Sequence, residues 1–114
     1  MQSLEVTDKM SADVAVSPTT RVSLQDIKDN IAGEYFLTGA SAIGKDAPSF
    51  PVLDTLTICI LVMQNGFVVI GKAAPADSAN FNAELGRNFA REDAIRQVWP
   101  LMGYEMRQKL YDKH

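Results

Sequence analysis

The sequence is poor in cysteine, histidine and long apolar runs, and each scarcity excludes something. Its single cysteine, Cys59, lies inside an apolar stretch. No disulfide framework is available, and the residue reads as a small buried hydrophobe in a reducing compartment. The single histidine is His114, the last residue. Neither a His-based triad nor a Cys/His zinc site can be assembled from one such chain. The longest apolar run, "ICILVM", falls far short of the ~20 residues that span a bilayer. The first ten residues, "MQSLEVTDKM", carry no apolar export core, so no membrane association is expected. Excess positive charge is also lacking. The net charge is −3; residues 1–80 hold five Lys/Arg against nine Asp/Glu, and 81–114 hold six against five. That balance argues against a nucleic-acid partner. It leaves room for a compact phosphate ligand, which needs only two or three well-placed arginines.

What is present fits one ordinary domain: 114 residues, 46% apolar and 22% charged. Residues 1–20 are polar, without sustained periodicity, and read as a flexible or loosely docked arm, leaving 21–114 as a single α+β ligand-binding domain. Ser23 is an N-cap with Asp26 at N3, opening one short N-terminal helix on which Leu24, Ile27 and Ile31 share a face before Gly33. "EYFL" reads as a short extended piece. "LVMQNGFVVIGKAA", residues 61–74, is two apolar runs around Asn65-Gly66, the signature of a β-hairpin closed by a type I′ turn. Both strands are apolar on both faces, so the small antiparallel sheet is expected to be covered on each side, by helices or by another subunit.

From Asp77-Ser78 a main helix is expected to run to about Trp99, with Phe81, Leu85, Phe89, Ile95, Val98 and Trp99 on one half-circumference. Asn88 and Glu92 sit within that arc and must find polar partners or a ligand. Opposite lies a ridge of small residues, Ala83, Gly86, Ala90 and Ala94, suited to close approach by the sheet or a second helix. Pro100 is expected to end the helix and make Trp99-Pro100 a rigid corner, with Trp99 largely buried. A last helix then puts Met102, Met106 and Leu110 on one face and Tyr104, Arg107 and Tyr111 on another. The fold expected is thus α+β, a small antiparallel hairpin or sheet packed with C-terminal helices.

One motif misleads. "GASAIGKD" fits G-x-x-x-x-G-K, but Asp46 stands where Ser or Thr should hold magnesium, and prolines 48 and 51 replace the helix that the motif requires. It reads as a loop. Glu92-Asp93 are neighbours about 100° apart on a helix and poorly placed to share a task. No catalytic set, metal site or cofactor site emerges, and the protein is expected not to be an enzyme. The unusual feature is four arginines, 87, 91, 96 and 107, within 21 residues of an acidic chain, near the aromatics Phe81 and Tyr104.

In their order these segments resemble the gene product 49 family of small tailed-phage proteins, over residues 22–113. The specific matches are Asn65-Gly66-Phe67 with Gly71, Asn80-Phe81, Glu84-x-Gly86-Arg87, Ala90-Arg91-Glu92-x-Ala94, Trp99-Pro100-Leu101 and Gly103-Tyr104-x-x-Arg107-x-x-Leu110. The same C-terminal pattern is similar to that of the type 1 Thoeris anti-defence proteins, which sequester a cyclic ADP-ribose signal. The resemblance implies a homo-oligomer, dimer to hexamer, in the host cytoplasm. It implies a small cyclic nucleotide-type ligand at subunit interfaces, with cyclic oligonucleotides in the same class. Arg107 is the residue it supports first, then Arg91 and Arg87, with Tyr104, Phe81 and Asn88 completing the expected site. The loop "GKAAPAD" departs from the pattern, lacking the usual acidic residue after the glycine and the Ser-Pro before the helix. The competing expectation is a protein that blocks a host or phage protein through its helical face, or, third, a small DNA-associated accessory protein.

Overall fold

The computed structural model describes residues 3–113; residues 1, 2 and 114, which the expected arm and domain limits include, lie outside them. In chain order the elements are α1 (Leu4–Val14), α2 (Leu24–Asp29), β1 (Ile31–Thr38), the one-turn α3 (Gly39–Ala42), β2 (Thr57–Met63), β3 (Val68–Ala73) and α4 (Ala83–Asp112). The architecture is α+β: a three-stranded antiparallel sheet, order β1-β2-β3, with a long C-terminal helix across one face.

Local chemistry sets most element starts. Ser23 accepts from the Asp26 amide and Asp26 accepts from the Ser23 amide, the reciprocal cap expected for α2. The helix stops earlier than expected, at Asp29, because "EYFL" belongs to a full eight-residue strand. Thr38 and Ser41 cap α3 in the same reciprocal manner, and no helix begins at Lys45, so the phosphate-loop match is a loop. The hairpin forms, but not through a type I′ turn. Met63 pairs with Phe67 around a three-residue loop in which only Gly66 has positive φ, +87°, while the Asn65 side chain accepts from the Phe67 amide. This is a type I turn closed by a left-handed glycine, and Asn65 contributes its side chain rather than its backbone.

Alternation in β2 decides the layering. Thr57, Cys59, Leu61 and Met63 are buried under α4, joined by Val69 from β3. Ala90, Ala94, Ile95 and Val98 meet them from α4, and Leu4, Leu24 and Ile27 close the core from the N-terminal helices. From Gly86 to Ala94 the small-residue ridge thus faces the sheet, not a second helix, while Ala83 is exposed. Where α4 crosses β3 it sits almost on the backbone: a Cβ on Gly71 would run into the Ala90 carbonyl and the Ala94 amide.

Two expectations are corrected. Residues 4–14 of the arm are helical, N-capped by Ser3 and held by buried Leu4 and by Asp8, which accepts from Arg21 at 2.8 Å and from the Leu24 amide at 3.0 Å. Leu4 is the one buried side chain of α1, while the apolar residues at helical spacing, Val6, Met10 and Val14, are exposed. Pro100 does not end a helix either. α4 runs unbroken for 30 residues, so Trp99-Pro100 is no corner and there is one C-terminal helix instead of two. Trp99 is half-buried, its Nε1 donating to the Val22 carbonyl at 3.0 Å. Half-buried Met102 on the next turn belongs to the same packed side. Contacts on both sides of Pro100 hold the helix through the missing hydrogen bond.

Cys59 is fully buried, and burial first, with nearby Glu34 adding and Arg91 opposing, pushes its thiol up to about 11 from an ordinary 9.0. In the unfolded chain the thiol ionises from about pH 9, while in the folded chain it stays protonated to about 11. Alkaline pH therefore favours unfolding, and stability is expected to fall by about 2 kcal/mol between pH 9 and 11. Melts of wild type and Cys59→Ala across that window check this: only the wild type should carry this loss.

Candidate functional site

The expected ligand residues fall into two groups along α4. Phe81, two residues before the helix, lies with Arg87, Asn88 and Arg91 at its N-terminal end, and Tyr104 and Arg107 lie towards its C-terminal end. From Arg91 to Arg107 is 16 residues, a rise of about 24 Å and a rotation of about 160°. One protomer therefore cannot bring the two groups to one ligand.

Arg91 is already engaged. Its Nε donates to Glu34 Oε1 at 2.6 Å, its Nη1 donates to Asn88 Oδ1 at 3.0 Å, and its guanidinium lies 5.3 Å from the Phe36 ring centroid. The polar residue on the apolar arc thus finds its partner three residues along the same helix, and α4 is tied to β1 by charge and by stacking. Glu92 similarly faces Arg96, at 3.9 Å. Sequence reasoning missed Glu34 and Phe36. The available signal was register: both alternate to the inner face of β1, where a carboxylate needs a cation. Beside this cluster is a cavity of about 330 Å³ lined by Leu4, Lys28, Asn88, Arg91 and Glu92 among others, with charges of both signs.

Arg87, Tyr104 and Arg107 are exposed, and neither arginine forms an ion pair among the described residues. Phe81 is half-buried at the entrance to α4. With Pro75, Leu85, Gly86 and Phe89 it walls an apolar pocket of about 160 Å³, with the amides Asn80 and Asn82 also lining it. Gly86 is required there because a Cβ would come 2.6 Å from Thr57 Oγ1. Ligand pockets that enclose a whole small molecule run to about 300–1,000 Å³, so this one accommodates a fragment such as a single ring system.

Among the described residues no group of three His, Cys, Asp or Glu is placed to hold a metal, and no helix is long and apolar enough to cross a membrane. A three-stranded sheet roofed by one long helix, with its arginines and aromatics spread along that helix, is a small two-layer α+β fold. The chain belongs to the Phage protein (N4 Gp49/phage Sf6 gene 66) family, whose model matches residues 22–110. No curated protein and no solved structure matches it.

Proposed function

We propose that this phage protein acts without catalysis, as an oligomer in the host cytoplasm, to bind and sequester a cyclic nucleotide-derived immune signal such as a cyclic ADP-ribose isomer. The observation that carries the reading is the aromatic pocket at the start of α4. It is apolar, has amides in its lining and is about 160 Å³. It fits one base, and the rest of the ligand is left for groups of another copy. Arg87 and Arg107, exposed and without acid partners among the described residues, supply the bidentate donors that a pyrophosphate requires.

Calorimetry with cyclic ADP-ribose isomers and cyclic di- and trinucleotides tests this on wild type, Arg87→Ala and Arg107→Ala. Arg91→Ala is a poorer probe, because it also strips Glu34 of its partner. Losing one charge-assisted contact is expected to weaken binding by about 1.5–3 kcal/mol, roughly 10- to 150-fold. Absence of binding by folded wild type at high micromolar ligand sinks the reading. The alternative, direct inhibition of a host or phage protein, is favoured by one observation: Leu85, Phe89, Tyr104 and Tyr111 are half or more exposed within about 100° of one side of α4.

A further inference from the structure

The cavity beside Arg91 shares no lining residue with the aromatic pocket. At about 330 Å³ it is roughly twice as large, and it falls inside the range of sites that enclose a small molecule. Three helices build it. Leu4 of α1, Leu24 of α2 and Ile95 of α4, each 5% exposed or less, give it an apolar lining. Beside them stand charges of both signs. Lys28 of α2 and Arg91 of α4 are the cations, and Glu5 of α1 and Glu92 of α4 are the acids.

Little of this charge is spent within the protomer. Neither Lys28 nor Glu5 forms an ion pair among the described residues, and Glu92 comes only to 3.9 Å from Arg96. Arg91 uses Nε on Glu34 and Nη1 on Asn88, which leaves Nη2 to donate elsewhere. Glu34 already balances the Arg91 charge, so the rest of the cavity wall carries one cation and two acids. A phosphate meets no excess of positive charge there. A molecule that itself carries both signs meets a partner for each.

We propose that this cavity binds a free α-amino acid with an aliphatic side chain. Its carboxylate accepts from the Lys28 ammonium and from Arg91 Nη2. Its ammonium donates to Glu92, with Glu5 alongside, and its side chain lies on Leu4, Leu24 and Ile95. Each charged end then leaves water for an opposite charge, the condition on which burying an ion depends. The preference for an aliphatic side chain follows from the lining, which offers no aromatic ring to stack on. Size agrees: the cavity sits at the small end of its range, fit for one amino acid and not for a nucleotide. Leu4 and Glu5 lie outside the family's matched residues 22–110, so one wall of the site belongs to this chain's own N-terminal helix. The site is independent of the ligand reading above, since it uses neither the aromatic pocket nor Arg87 and Arg107.

Three unlike attachments also fix handedness. Calorimetry of the full chain with L-leucine, L-isoleucine, L-valine and L-methionine tests the proposal. At least one is expected to bind with a dissociation constant of about 1 mM or tighter. Its D enantiomer, its amide and the acid lacking its amino group should each bind roughly tenfold or more weaker, because each loses an attachment. Lys28 is exposed and outside every ion pair among the described residues, so Lys28→Ala should melt like wild type and weaken binding by the same factor. Glu92→Gln gives up only the long contact with Arg96 and should do likewise. The ligand analogues decide the matter even if a variant fails to fold. A wild type that binds none of the four at about 10 mM overturns the proposal. Equal binding of the amide, the deaminated acid or the D enantiomer overturns it too, as does undiminished binding by either folded variant.

Discussion

Gly71→Val is expected to cost about 4 kcal/mol or more, enough to unfold much of the population of a domain with ordinary stability. Overpacking commonly costs about 1–3 kcal/mol because side chains shift out of the way. Here the obstacles are the Ala90 carbonyl and the Ala94 amide, with Ala94 Cβ itself 2.8 Å from where the new Cβ would stand. Neither backbone can retreat cheaply. Gly71 pairs with Cys59 in the sheet, and α4 is fastened to the same strand on either side by Asp93 and Gln97. Denaturant unfolding of Gly71→Ala and Gly71→Val should show the alanine already destabilised and the valine more so. A valine variant within about 1 kcal/mol of wild type would mean that strand and helix do not approach this closely.

Pro100→Ala is expected to raise stability, by about 2–3 kcal/mol. Proline inside a helix removes one hydrogen bond, here to the Arg96 carbonyl, and crowds that carbonyl with its ring, at about 3 kcal/mol relative to alanine. Part of the gain is offset because alanine leaves the unfolded chain freer, by roughly 0.4–1 kcal/mol. Pro100 is exposed, so its removal opens no cavity. An unchanged or lower melting temperature would show that the ring makes contacts of its own worth the lost hydrogen bond.

The two substitutions mark where sequence reading succeeds and where it stops. The hairpin, its apolar faces and the cap at Ser23 were legible because they depend on residues within a few positions of one another. The small ridge of α4 was legible as a surface of close approach, and the structure supplies its partner, Gly71. Pro100 was misread for a physical reason. Its local preference is a break, but the Trp99–Val22 hydrogen bond and the packing of Met102 come from elsewhere in the chain and outweigh it. The turn type was misread because the Asn65 side chain competes with its own backbone. In the site, the arginines were visible, yet Arg91's partner is 57 residues away in sequence, and nothing local distinguishes it from Arg87.

The thin attachment of α1 has a consequence for how the molecule breathes. It lies outside the segment that matches the family, residues 22–110, and is held by Leu4 and by the contacts of Asp8. Elements with so few buried contacts open by themselves, at a fraction of the global unfolding free energy. When α1 lifts, the cavity it shares with Asn88 and Arg91 loses its Leu4 wall, and the packed Leu24 and Ile95 beneath it meet solvent while the sheet stays intact. In amide hydrogen exchange, residues 4–14 should trade with solvent together and early, as one cooperative unit. The β2 amides should wait for the whole protein to unfold.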